Sequence, residues 1–311
     1  MAFRRMAILS LFAPVLSLGQ SSAIEDAQAD TIAHKYDDAM RICESLLETN
    51  PANQAAVAGE IDAASKAALD LRSQNRMEDA LSYLLRANRM IPNEPSLLFD
   101  IGILENQMHL NKDADEALHK SFLLKPQDPM TLYAIARVKM DLGLYPDAEA
   151  AMRSYLEKRP GDASAHYGLG RILLINLKDD AALKEFQLAI DLQPTQTESY
   201  YEIGEISLRA NDLDKAETNY QLCLKRDPQH GGALTGMGVI AFRRKQYQQA
   251  ADFLDRAVHL APQFQTAHYY DGLTLAKLGR KAEAEAELAT ASKMAAQENA
   301  RKDDLRRLAP Q

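Results

Sequence analysis

The sequence has no tryptophan, two cysteines and only 14 glycines in 311 residues. Two cysteines exclude a disulfide scaffold and a cysteine-ligated zinc module. An excess of positive charge is also missing. Lys and Arg number 36 against 44 Asp and Glu, a formal charge of -8. That balance argues against nucleic acid, whose binders carry a basic face. Beyond the N-terminus there is no long apolar run, which excludes a polytopic membrane protein. The chain is 46% hydrophobic and 26% charged, ordinary for a folded protein. Ala and Leu dominate, which favours helix.

The N-terminus reads as an address. Arg4 and Arg5 precede an apolar stretch from Ala7 to Leu18, and Ser21-Ser22-Ala23 places small residues where a signal peptidase reads. This is the layout of a secretory signal. Twelve helical residues rise about 18 Å, short of a ~30 Å hydrocarbon core, so a cleaved leader is expected over a spanning helix. No Cys follows the run, so lipidation is not expected. The expected mature chain starts near Ile24, is periplasmic or secreted, and has no transmembrane anchor.

Prolines reveal an internal period. Pro92, Pro126, Pro160, Pro194, Pro228 and Pro262 stand 34 residues apart, each after an amphipathic run. Proline just past a helix end is expected, since it cannot continue the hydrogen-bond ladder. Seven repeats follow, starting at residues 61, 95, 129, 163, 197, 231 and 265. At the twentieth place of each stands Ala80, Ala114, Ala148, Ala182, Ala216, Ala250 or Ala284. Four places on comes a large residue: Leu84, Leu118, Met152, Phe186, Tyr220, Leu254 or Leu288. Offsets of this kind trace one helical face. Earlier in the repeat, small residues such as Gly102, Gly170, Gly204 and Gly238 follow an apolar one and let two helices approach closely.

A 34-residue period with this small/large pattern resembles the tetratricopeptide repeat family. The resemblance implies an all-α fold, a right-handed superhelical solenoid of stacked helix-turn-helix units. The family's aromatic at the fourth place survives here only as Tyr200. The domain reading is a signal peptide at 1–23, a partial repeat and lengthened helix start at 24–60, seven repeats at 61–298 and a polar cap at 299–311. Pro51 lies 41 residues before Pro92, so the helix after it is expected to gain two turns, over Asn53 to Ser73. The first helix of an eighth repeat is expected around Ile24 to Ala33, shortened by signal cleavage. At the other end Ala296 replaces proline, and the last helix is expected to run towards Leu308.

No catalytic constellation is present, and neither a metal site nor a cofactor is expected. The seven histidines are scattered, without HExxH spacing. His166 and His268 share the fourth place of their repeats, a packing position. The G-x-G fragments at Gly168/Gly170 and Gly236/Gly238 lie within expected helices, with no preceding strand, so a phosphate loop is not indicated. Cys43 and Cys223 fall five repeats apart, too far for a bond that needs Cα atoms within about 7 Å.

By resemblance, the first helix of each repeat lines a concave groove and its fifth place points inward. That place holds Ser65, Phe99, Tyr133, Tyr167, Tyr201, Thr235 and Tyr269. Four places on stand Leu69, Ile103, Arg137, Arg171, Glu205, Val239 and Leu273. The candidate peptide-binding set is therefore Phe99, Tyr133, Arg137, Tyr167, Arg171, Tyr201, Glu205 and Tyr269. Tyr offers area at low entropic cost and Arg grips carboxylates. The aromatics equally suit packing between helices, or stacking on sugar rings. Charge is uneven: residues 24–94 hold 7 basic and 13 acidic residues, whereas residues 231–311 hold 12 and 9. The gradient suits either an acidic partner or a solvated face. The expected function is an exported, non-enzymatic scaffold that binds a protein or peptide partner. The alternative is a structural part of an envelope polysaccharide or cell-wall machine. Partner identity and oligomeric state are left open.

Overall fold

The computed structural model describes residues 13–308, and the first twelve residues of the expected leader lie outside that range. The described chain is all helix. Sixteen helices run in antiparallel pairs, and no strand occurs among the described residues. Two compact bodies divide at Arg159/Pro160.

The N-terminal body contains α1 (Ala13–Ile32), α2 (Tyr36–Thr49), α3 (Gln54–Ser73), α4 (Met77–Met90), α5 (Pro95–Gln107), α6 (Asn111–Leu124), α7 (Pro129–Asp141) and α8 (Tyr145–Lys158). The C-terminal body contains α9 (Ala163–Ile175), α10 (Asp179–Leu192), α11 (Thr197–Arg209), α12 (Leu213–Arg226), α13 (Gly231–Arg243), α14 (Tyr247–Leu260), α15 (Gln265–Lys277) and α16 (Lys281–Leu308). Odd-numbered helices are the first of each pair and even-numbered ones the second.

Local chemistry sets the ends. Asn53, Asp128, Asp162 and His230 each accept a backbone N–H at the start of a first helix. Such caps satisfy one of the otherwise orphaned donors. The two helices of a pair are joined by a residue in the left-handed region, always at the fifteenth place: His34, Asn75, His109, Gly143, Leu177, Asn211, Lys245 and Gly279. Eight such residues mark eight repeats, because His34 extends the register to α1 and α2. Within a pair the contact is small against large. A Cβ built on Gly170 would lie 2.6 Å from the Phe186 ring, and one on Gly204 2.6 Å from Tyr220. Alanines Ala39, Ala80, Ala114, Ala148, Ala182, Ala216 and Ala250 are wholly buried.

Two elements depart from the common length. The helix after Pro51 begins at Gln54 and spans 20 residues, where α5 and its counterparts span 13. α1 also spans 20 residues, because it continues backwards through Ala13–Ala23 instead of starting near Ile24. Nothing in that apolar stretch breaks a helix except Pro14, which sits in the first turn, where proline is tolerated. No described helix is long and apolar enough to cross a membrane. Residues 309–311 of the expected polar cap lie outside the described range.

Candidate functional site

In the C-terminal body, the fifth and ninth places of the first helices carry Tyr167 and Arg171 on α9, then Tyr201 and Glu205 on α11. Tyr167 is half-buried, with its ring 5.8 Å from that of Phe186 on the paired helix. Arg171, one turn further along the same face, is exposed. Burial pushes the Tyr167 hydroxyl up, and the Arg171 charge opposes that shift.

Tyr201 is more enclosed. Its ring stands 4.7 Å from His230 and 6.3 Å from Tyr220, and its hydroxyl edge abuts Gly232 on α13. A side chain at residue 232 would collide with that ring, so glycine there sets the Tyr201 pose. Burial raises the Tyr201 hydroxyl, and Glu205, Glu202 and Glu198 add to the rise. Glu205 accepts a 2.6 Å hydrogen bond from the Tyr220 hydroxyl, and burial raises its carboxyl. Glu202 is also raised by burial, with Arg171 pulling the other way. Tyr167, Arg171, Tyr201 and these acids thus form one mixed surface along α9 and α11.

The strip is interrupted at α13. There Thr235 and Val239 fill the two places and are 5% and 2% exposed. Tyr269 on α15 is 44% exposed and packs edge-on against Tyr270, 5.4 Å away. It stands apart from the α9–α11 surface along the helix order.

In the N-terminal body, Phe99 and Ile103 on α5 pack against Ala114, Leu118, Ala134 and Val138. Tyr133 on α7 is half-buried, 5.2 Å from Tyr155. Arg137 is exposed. Ser65 donates to Asp100 at 2.8 Å. The rings of Tyr133 and Tyr167 therefore rest on the second helix of their own repeat, whereas Phe99 and Tyr201 also reach the next first helix.

The residues weighed for chemistry are accounted for by structure. His166 and His268 are buried in the same setting. Nδ1 of each meets Glu185 or Glu287, at 2.7 and 2.5 Å, and Nε2 meets the carbonyl of Pro160 or Pro262, at 3.0 and 2.9 Å. Each ring ties the start of a first helix to its own second helix and to the loop before it. The G-x-G pairs lie inside α9 and α13. Cys43 and Cys223 are free and buried, and burial pushes their thiols up to about 11 and about 12. Among the described residues, no group of three His, Cys, Asp or Glu is placed to hold a metal ion.

Acids with buried, unpartnered oxygens were not singled out by sequence. Glu60 on α3 is 0% exposed, and neither of its oxygens has a hydrogen-bond partner. Glu105 on α5 and Asp271 on α15 each have one buried oxygen without a partner. The signal for Asp271 was available. The seventh place is Ala67, Ile101, Ile135, Leu169, Ile203 and Met237 in the other repeats, and an acid only at 271.

Comparison with known proteins agrees with this architecture. A tetratricopeptide repeat model matches residues 133–197. A model of the Cilia and flagella-associated protein 70 middle TPR-like domain matches residues 175–307. Together they span more than half of the chain. Among solved structures, a tetratricopeptide repeat protein from Parabacteroides merdae is similar at a TM-score of 0.61 and 14% identity, over 76% of this chain and 93% of that one. PilF from Pseudomonas aeruginosa is similar at 0.60 and 17% identity, over 68% and 96%. YrrB, described as a TPR protein with an unusual peptide-binding site, is similar at 0.50 and 20% identity, over 59% and 95%. No curated protein sequence matches the chain. Eight helix pairs, a 34-residue period, small-on-large packing within pairs and the family match converge: the chain belongs to the tetratricopeptide repeat family.

Proposed function

We propose that this protein is an exported scaffold that binds a protein or peptide partner along the first helices of its repeats and performs no catalysis. The observation that carries the reading is the α9–α11 surface. Tyr167 and Arg171 share one face of α9, with the Arg171 charge bearing on the Tyr167 hydroxyl, and Tyr201, Glu202 and Glu205 stand on α11. Half-exposed aromatic area beside a guanidinium and carboxylates suits an extended chain carrying both charges. The peptide-binding site named for the similar YrrB fold supports the same class of partner. Export rests on Arg4, Arg5, the apolar run to Leu18 and the small residues Ser21 and Ala23.

The ring packing decides which variant tests this. Tyr167→Ala would remove the contact with Phe186 and lose stability as well as surface. Arg171 is exposed, so Arg171→Ala leaves the core intact. Proximity cross-linking of the full chain in its native cell envelope, read by mass spectrometry, is the test. One dominant protein partner, lost in Arg171→Ala with an unchanged melting temperature, supports the reading. Capture of wall or polysaccharide material alone would replace the peptide by a glycan. A chain that retains residues 1–23 and stays in the cytoplasm would remove export.

A further inference from the structure

A second feature lies on another side of the C-terminal body. Asp271 is two residues after Tyr269, about 200° around α15, so it faces away from the fifth-place strip. It lines a cleft of about 420 Å³ between α14 and α16. Five carboxylates border this cleft: Asp252, Asp255, Asp271, Glu283 and Glu287. The basic side chains nearby already have partners. Arg280 forks onto Glu283 at 2.8 and 2.5 Å, and His268 meets Glu287 at 2.5 Å. His259 is turned onto the carbonyl of Asp255 at 2.6 Å. Asp271 is 5% exposed, and its Oδ1 has no hydrogen-bond partner. Burial, then the charges of Glu287 and Asp255, push its carboxyl up to about 6. Val258 and Leu275 give the cleft apolar walls.

The same chain contains an arginine-filled counterpart of one part of this arrangement. In the N-terminal body, Glu44 stands five residues after the buried Ala39, as Asp255 stands five after Ala250. Arg86, six residues after Ala80 in the next repeat, forks onto both oxygens of Glu44 at 2.7 Å and reaches Asp37 at 2.9 Å. Its charge also offsets the buried acid from the first helix, Glu60. Six residues after Ala284 the C-terminal body has Thr290 instead, with its hydroxyl turned back to the carbonyl of Ala286 at 3.0 Å. Of that set only the second-helix carboxylate is kept, as Asp255: Gln248 stands where Asp37 stands, the buried acid Asp271 lies two turns further along its helix than Glu60, and the arginine is gone.

We propose that the α14–α16 cleft binds an arginine side chain of a basic partner segment, whose guanidinium meets Asp255 as Arg86 meets Glu44 in the N-terminal body and takes the remaining carboxylates of the cleft from the same side. Arginine fits better than a compact cation. A guanidinium is planar and weakly hydrated, and reaches several carboxylates at once. Its stem covers Val258 and Leu275. No described group of three ligands here is placed for a metal ion. This site is independent of the α9–α11 surface, so Arg171→Ala leaves it unchanged.

The test is an NMR titration of the full-length protein with N-acetyl-arginine amide. The control is N-acetyl-citrulline amide, which has the same shape and no charge. Arginine is expected to shift amide signals on α14–α16, and citrulline is expected not to. Asp255→Asn, at an exposed position that leaves the core alone, is expected to weaken the arginine about fivefold. Thr290→Arg is expected to abolish the response, because an arginine there reaches Asp255 as Arg86 reaches Glu44. Equal shifts with citrulline, shifts confined to other helices, or full affinity in both variants would each overturn the proposal.

Discussion

Glu60 is a carboxyl group sealed from water with neither oxygen hydrogen-bonded. Burial, followed by the charge of Glu44, pushes it from 4.5 up to about 8, with Arg86 partly opposing. The unfolded chain loses this proton near the ordinary carboxylate value, while the folded chain keeps it until about pH 8. Between those values the native state binds more protons than the unfolded state, so stability falls as pH rises. Glu60→Gln removes the charge and keeps the shape. We expect it to be nearly neutral at pH 5 and to stabilise the protein by on the order of 2–4 kcal/mol above pH 8. Urea denaturation at the two pH values measures this. Equal stabilisation at both, or none at either, would show that the charge of Glu60 is compensated. The residue was not legible in the sequence as a buried acid. It lies in the two turns added to α3, where the 34-residue register has no counterpart to compare.

The elements themselves were more legible. Their hydrophobic faces, the alanine at the twentieth place and the closing proline each report a local constraint that recurs. The turn between paired helices was less so, because its requirement is conformational. Asn75, Gly143, Asn211 and Gly279 are residues that adopt positive φ readily, but Leu177 holds φ 58 while 88% exposed. A leucine there bears the left-handed strain of about 1–2 kcal/mol and buries almost nothing in return. Leu177→Gly is expected to stabilise by about 1 kcal/mol, less the greater freedom of glycine when unfolded, and a raised urea midpoint with an unchanged slope would show it. The close approach within pairs gives the opposite sign. Gly170→Ala gains about 1 kcal/mol of helix propensity, yet its Cβ would sit 2.6 Å from the Phe186 ring. A net loss of about 1–2 kcal/mol is expected. Alanine is native at this place in the α7–α8 repeat, as Ala136, where the partner is Met152. Phe186→Met in the Gly170→Ala background should therefore recover part of the loss. If the double variant is no better than additive, the ring is not the obstacle.

At the scale of the molecule, the 34-residue register was legible from residue 61 onward, but the division of labour along it was not. The fifth-place aromatics were visible as a series. Whether each ring binds or packs depends on its neighbours, Phe186, Tyr155 or Gly232, which come from other helices and only folding brings together. The N-terminus poses the same problem for stability. α1 is continuous from Ala13 to Ile32, so cleavage after Ala23 would cut a helix, not a linker. The part that remains still carries the contacts that matter. Ala27 and Thr31 are 2% and 4% exposed, whereas Ser21 and Ser22 are exposed. In a repeat array an end unit contributes mainly through the interface with its neighbour. A chain starting at Ile24 should therefore keep the stability of the full-length protein to within about 1 kcal/mol. A chain starting at Tyr36 removes Ala27 and Thr31 and opens the faces of α2 and α3, where Ala39, Met40 and Cys43 are wholly buried. It should lose on the order of 2–4 kcal/mol in the first unfolding transition. Urea titrations of the three chains, followed by circular dichroism, decide the matter. Equal losses for both truncations would mean that the leader segment of α1 holds the N-terminal repeat together, and that removing it would release that repeat.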